Sequence, residues 1–227
     1  MIGIFDSGMG GLNVLKELKA IAPSCDVCFF ADRENAPYGT KSRGELLRLV
    51  GHNVQLLREC GAEEILIGCC TASTVYDGLS TCDRERVFPI IKPTAHAALG
   101  ATKTNRIGVI ATNATVRSHA FRQAVDLEAR DTYVIECAAQ SLVGVVEGGE
   151  SDSYITRTGL RIVKEALSVI KNEEIDVLIL GCTHFPLLSG IISDIMGNVR
   201  LISSAHEGAL EISRVADTGG VGATVYL

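Results

Sequence analysis

Short apolar, β-branched runs bounded by glycine recur along this chain and alternate with stretches of helical period. The runs predict strands at Ile2 to Phe5, Val27 to Ala31, Ile65 to Gly68, Ile107 to Ile110, Tyr133 to Glu136, Val177 to Leu180 and Val199 to Ile202. Between them, Leu12 to Ile21 reads as a helix. Leu46, Leu47, Val50, Val54 and Leu57 line one face of a second helix, and Ile162, Val163, Ala166, Leu167 and Ile170 one face of another. Unbroken apolar strands separated by helices imply parallel strands covered on both faces, an α/β fold.

The pattern occurs twice. Ile2-Gly3-Ile4-Phe5-Asp6-Ser7-Gly8 is echoed by Ile107-Gly108-Val109-Ile110-Ala111-Thr112-Asn113, and Ile65-Leu66-Ile67-Gly68-Cys69 by Val177-Leu178-Ile179-Leu180-Gly181-Cys182. The repeat predicts two pseudo-symmetric lobes, each a mainly parallel sheet flanked by helices, with the active site between them. The division is expected near Lys92-Pro93, giving residues 1–92 and 93–204, with residues 205–227 returning to the first lobe. Ligands of open parallel sheets bind outside the carboxyl ends of the strands. Asp6-Ser7-Gly8, Cys69-Cys70-Thr71, Thr112 to Thr115 and Cys182-Thr183-His184 all fall there.

Composition narrows the function classes. With 47% apolar and 21% charged residues in 227, the chain is an ordinary globular protein. A formal net charge of -6 gives no electrostatic reason to expect nucleic acid or an anionic membrane as a partner. No apolar stretch reaches the ~20 residues of a membrane span, and Asp6 stands where a signal peptide needs a basic start, so a cytoplasmic location is expected. Eight cysteines without loop-rich spacing read as free thiols in a reducing compartment. Cys28, Cys60, Cys82 and Cys137 lie in or beside apolar segments and read as small hydrophobes. Cys25 and Cys28 form a C-x-x-C, but no second ligand pair follows at metal-site spacing.

Cys69 and Cys182 differ from the other six because each ends a strand and heads an expected helix. A free thiol is about 3% ionised at neutral pH, and a helix N-terminus lowers its pKa. His184, two residues beyond Cys182, can set that thiol's protonation state. Asp6 stands at a strand end beside Gly8-Met9-Gly10-Gly11, where it can cap the next helix or take part in proton transfer. Those glycines do not fit a dinucleotide fingerprint, since Asn13 stands where the third would fall. Glu147, before a glycine pair, and Tyr38-Gly39 read by composition as solvated turns, with a place in a site as the alternative.

Five segments, IGIFDSGMGGLNVLKEL, PYGTKS, TAS, IGVIATNATV and LGCTHFPLL, lie in order over most of the chain. Through them the sequence resembles the glutamate racemases of the cofactor-independent aspartate/glutamate racemase superfamily. The resemblance implies that Cys69 and Cys182 are the two acid/base thiols, Cys69 acting on the D-enantiomer and Cys182 on the L-enantiomer. It implies that Asp6, Glu147 and His184 assist them, and that Asp6, Ser7, Tyr38, Gly39, Cys70, Thr71, Thr115, Thr183 and His184 contact a small amino-acid substrate. It further implies no cofactor and no metal, a homodimer as a plausible assembly, and a role in supplying D-glutamate for bacterial peptidoglycan. One departure stands out: Cys70 occupies a position where the family usually has asparagine, exchanging an amide for a weak thiol donor and acceptor. The alternatives are a racemase of aspartate or another amino acid, and a binding protein that kept the cleft but lost turnover. A redox role for Cys69-Cys70 would need a strained ring between adjacent residues.

Overall fold

The computed structural model describes residues 1–227. Its nine strands form two all-parallel sheets. The strands are β1 (Ile2–Asp6), β2 (Val27–Ala31), β3 (Glu64–Ile67), β4 (Val87–Pro89), β5 (Arg106–Ala111), β6 (Tyr133–Ala138), β7 (Val177–Gly181), β8 (Arg200–Ser203) and β9 (Thr224–Tyr226). The first sheet runs β4-β3-β1-β2-β9 and the second β6-β5-β7-β8. The chain divides into two compact units, Met1–Ile90 with Ala205–Leu227, and Ile91–Ser204.

Apart from the added edge strand β9, the units share one strand order, with β5, β6, β7 and β8 standing for β1, β2, β3 and β4. The equivalence holds in register. Ile2 pairs with Glu64 and Phe5 with Ile67, while Ile107 pairs with Val177 and Ile110 with Leu180. The turns beyond the strands match too, since Asp32 N donates to Asp6 O at 2.9 Å and Ala139 N to Ala111 O at 2.8 Å. Cys69 and Cys182 therefore occupy the same place, one residue beyond Gly68 and Gly181.

The central strands are largely apolar, with Asp6 and Glu64 as buried exceptions in β1 and β3, because helices cover both faces of each sheet. β1, β3 and β7 are buried along their whole length. On the helix Arg43–Glu59 the buried stripe is Leu46, Leu49, Val50, Asn53, Val54 and Leu57. Leu47, expected on that face, is only half-buried, while Leu49 replaces it at the correct period. Ser42 and Glu45 close a capping box at the start of this helix. The helix Arg157–Lys171 buries Val163, Leu167 and Ile170 as expected, with Ile162 and Ala166 at the margin. Strands β4 and β9, three residues each at the sheet edges, were not foreseen. No helix is long and apolar enough to cross a membrane. All eight cysteines are free; Cys82 is exposed and Cys60 and Cys137 half-buried, which corrects their reading as core hydrophobes.

Candidate active site

In each unit the chain leaves the first strand toward one side of the sheet and returns later on the other. The crevice of an open α/β sheet opens at such a reversal of strand order. In the first unit it lies between β1 and β3, where Asp6-Ser7 and Cys69 emerge. Gly68 N donates to Phe5 O at 2.8 Å, and a Cβ at Gly68 would lie 3.1 Å from that oxygen, so glycine eases a close strand approach.

Cys69 is 5% exposed and caps a single helical turn, Cys70–Ser73. Ser7 Oγ lies 3.7 Å from its sulfur and 3.4 Å from Asp6 Oδ1. Asp6 is fully buried, and its Oδ1 accepts from Gly8 N at 2.8 Å. A Cβ at Gly11 would stand 2.4 Å from the Asp6 Cβ, so glycine there lets the helix Gly11–Ile21 begin against the carboxylate. Burial first, and the Asp6 charge second, push the Cys69 thiol from 9.0 up to about 12. The N–H groups of Ala72 and Ser7 and the Ser7 hydroxyl favour the thiolate but are outweighed. This corrects the expected lowering by a helix N-terminus: one turn carries little aligned dipole, and desolvation beside a carboxylate exceeds it.

Tyr38 and Gly39 are buried in a turn, Tyr38–Thr40, that packs against the Cys70–Ser73 turn, where Cys70 and Thr71 are also buried. The Tyr38 hydroxyl donates to Asp32 Oδ2 at 2.5 Å and accepts from Asn53 Nδ2 at 2.9 Å. Asp32 Oδ1 accepts from Asn35 Nδ2 at 2.8 Å. Asp32 and Asn53 are not among the residues that the sequence analysis singles out. Asp32 directly follows β2, the same strand-end position that marked Asp6, and Asn53 interrupts an apolar stripe; both signals were available.

In the second unit Cys182 is 7% exposed, and its sulfur lies 3.6 Å from His184 Nδ1. His184 is buried, with Nε2 3.2 Å from Glu147 Oε1. That spacing is an ion-pair distance, but the groups are not aligned as a hydrogen bond. Glu147 ends the helix Gln140–Glu147 with its side chain 43% exposed. The helix expected to start at Cys182 is absent. Phe185 N bonds to Cys182 O and Leu187 N to His184 O, so the chain tightens into a 3₁₀ turn, Phe185–Leu188, before the helix Ser189–Met196. Thr183 is buried in this turn. Thr115 is fully buried in the first turn of the helix Asn113–Ser118, with its Oγ1 2.9 Å from the capping Thr112 Oγ1.

The two units thus repeat one α/β plan, each setting a buried thiol one residue past a glycine at a strand end beside titratable side chains. The chain belongs to the Asp/Glu/hydantoin racemase family, which it matches over residues 13–212. It is 41% identical over 198 residues to the glutamate racemase of Desulforudis audaxviator, covering 86% of this chain and 71% of that one. Among solved structures it resembles glutamate racemase isoform RacE1 from Bacillus anthracis, with a TM-score of 0.91 and 32% identity over 100% of this chain and 86% of that one. The glutamate racemase from Francisella tularensis, solved in complex with D-glutamate, gives a TM-score of 0.88 and 27% identity over 99% and 86%.

Proposed function

We infer that this protein is a glutamate racemase that moves protons through Cys69 and Cys182, and that its D-glutamate serves bacterial peptidoglycan. The observation that carries the reading is the equivalence of the two cysteines, each one residue past a glycine on matching strands of matching sheets. Racemisation needs a base on one face of the α-carbon and an acid on the other.

With L-glutamate, the Cys182 thiolate takes the α-proton, the C–H electron pair stays on carbon and spreads into the carboxylate, and Cys69 S–H delivers its proton to the opposite face. The product is D-glutamate, with Cys182 now a thiol and Cys69 a thiolate. The reverse reaction exchanges the roles. The neighbours suit this division. Asp6 and burial hold the Cys69 proton in place, whereas His184 Nδ1 is placed to accept a proton from Cys182. A substrate ammonium beside Asp6 would oppose the carboxylate's effect and bring Cys69 toward thiolate when it must act as base. Ser7, Gly39, Cys70, Thr71, Thr115 and Thr183 are read as the substrate's polar surroundings, with Tyr38 contributing its turn rather than its committed hydroxyl and Glu147 steadying His184.

The test is proton NMR of L-glutamate, and separately of L-aspartate, in heavy water with the reduced protein and no added cofactor, followed by a chirality assay. Loss of the glutamate α-proton signal with D-glutamate formed is expected. Exchange of aspartate alone would make Cys70 the mark of another substrate, and exchange of neither would end the racemase reading.

A further inference from the structure

Asn53 lies on the buried stripe of the helix Arg43–Glu59, among Leu46, Leu49, Val50, Val54 and Leu57, and is 1% exposed. A buried amide costs stability unless its donors and acceptors are used. Its Nδ2 donates to the Tyr38 hydroxyl, but its Oδ1 has no hydrogen-bond partner. An orphaned buried carbonyl oxygen is a cost that leucine would not carry, so half of this amide contributes nothing to folding. The amide's hydrogen bond goes to a tyrosine whose own proton is committed to Asp32. Both functions of the phenol are thus engaged inside the protein, and Tyr38 is 1% exposed. The hydroxyl is not available to donate to a substrate. What the chain Asn53–Tyr38–Asp32 does fix is the ring, and with it the turn Tyr38–Thr40 packed against the helical turn that Cys69 caps.

We propose that Asn53 is a positioning residue for the Cys69 half of the reaction, acting through the Tyr38 hydroxyl, with Asp32 holding the same phenol from its other side. This rests on the racemase reading given above. Misplacing the ring shifts one wall of the thiol and slows proton transfer at Cys69, while proton transfer at Cys182 keeps its own geometry.

The test is Asn53→Leu, with Tyr38→Phe and the double variant. A racemisation has an equilibrium constant of one, so the loss in kcat/KM is equal in both directions. The asymmetry appears in the isotope effects. Loss of one hydrogen bond should lower kcat about five- to tenfold, with KM within about twofold. The primary isotope effect should rise for α-deuterated D-glutamate, whose deuteron Cys69 removes, and fall for α-deuterated L-glutamate. Tm should not drop. In the Tyr38→Phe background, Asn53→Leu should add little, because both remove the same link. Wild-type kinetics in Asn53→Leu, or a loss that tracks a lowered Tm with both isotope effects unchanged, overturns the proposal. A second readout needs no turnover: the iodoacetamide alkylation rate of Cys69 should change severalfold in Asn53→Leu, and an unchanged rate counts against positioning. If the wild type fails to racemise glutamate while that rate still changes, the racemase reading falls and the positioning of Cys69 stands.

Discussion

Replacing Asp6 with asparagine should make Cys69 more reactive and the enzyme slower. Ser7 Oγ lies 3.4 Å from the Asp6 carboxylate and 3.7 Å from the Cys69 sulfur, so carboxylate and sulfur are no more than about 7 Å apart. At that distance, with an effective dielectric of about 20, the repulsion between carboxylate and thiolate is roughly 2 kcal/mol, or between one and two pKa units. Burial is the larger cause of the rise to about 12, so it persists in the variant. Asp6→Asn should therefore raise the thiolate population at pH 8 by about 10- to 50-fold. Asparagine retains an oxygen for Gly8 N, which preserves the local turn. The assay is iodoacetamide labelling over time, with fragment-ion mass spectrometry to separate Cys69 from the adjacent Cys70. Racemisation should fall in the same variant, because the carboxylate that the proposed mechanism sets beside the substrate's ammonium is gone. Slower or unchanged alkylation of Cys69 in a folded Asp6→Asn protein would refute the electrostatic argument.

Cys69→Ala and Cys182→Ala should each abolish racemisation in a coupled D-glutamate assay, whereas Cys70→Ala should leave α-proton exchange detectable by NMR. Gly181→Ala places a Cβ 2.9 Å from Ile110 O and 2.8 Å from the Phe121 ring directly before Cys182. Overpacking of this kind costs about 1–3 kcal/mol, a fall in Tm of roughly 2–12 °C by calorimetry, and activity should fall with it. Alkaline stability should decline for a defined reason. Folding raises Cys28 to about 11, through burial and then Cys60, and Cys69 to about 12, each from 9.0. Above pH 9 the unfolded chain releases protons that the folded chain retains. Stability is therefore intact below pH 9 and lost up to pH 11–12, at about 1.4 kcal/mol per pH unit for each thiol. Urea unfolding at pH 8 and pH 10.5 checks it.

The apolar runs revealed seven of the nine strands because central parallel strands must be hydrophobic on both faces. β4 and β9 escaped because three residues, one of them Pro89, form too short a run to show a period. The equivalence of Cys69 and Cys182 was legible as a sequence repeat, and the shared strand order and register give it physical form. The protonation of Cys69 was not legible. Position at a strand end suggested a helix terminus, but the sign of the shift depends on burial and on Asp6, which three-dimensional packing decides. The helix expected at Cys182 failed for a local reason, the i→i+3 bonds that tighten Cys182–Leu188. The Asn53–Tyr38–Asp32 chain links residues only 6 and 15 positions apart, but they lie on a strand end, a turn and a helix face, so their hydrogen bonds follow from the folded unit and not from the hydrophobic pattern.

The most direct test of the two-thiol account is where solvent hydrogen appears during the first few per cent of conversion of L-glutamate in heavy water. Two thiols acting on opposite faces predict D-glutamate carrying solvent deuterium while the remaining L-glutamate keeps its α-proton. Recovered L-glutamate that gains deuterium as fast as D-glutamate forms, or D-glutamate that retains the original proton, would contradict the assignment of Cys69 and Cys182 as separate acid and base.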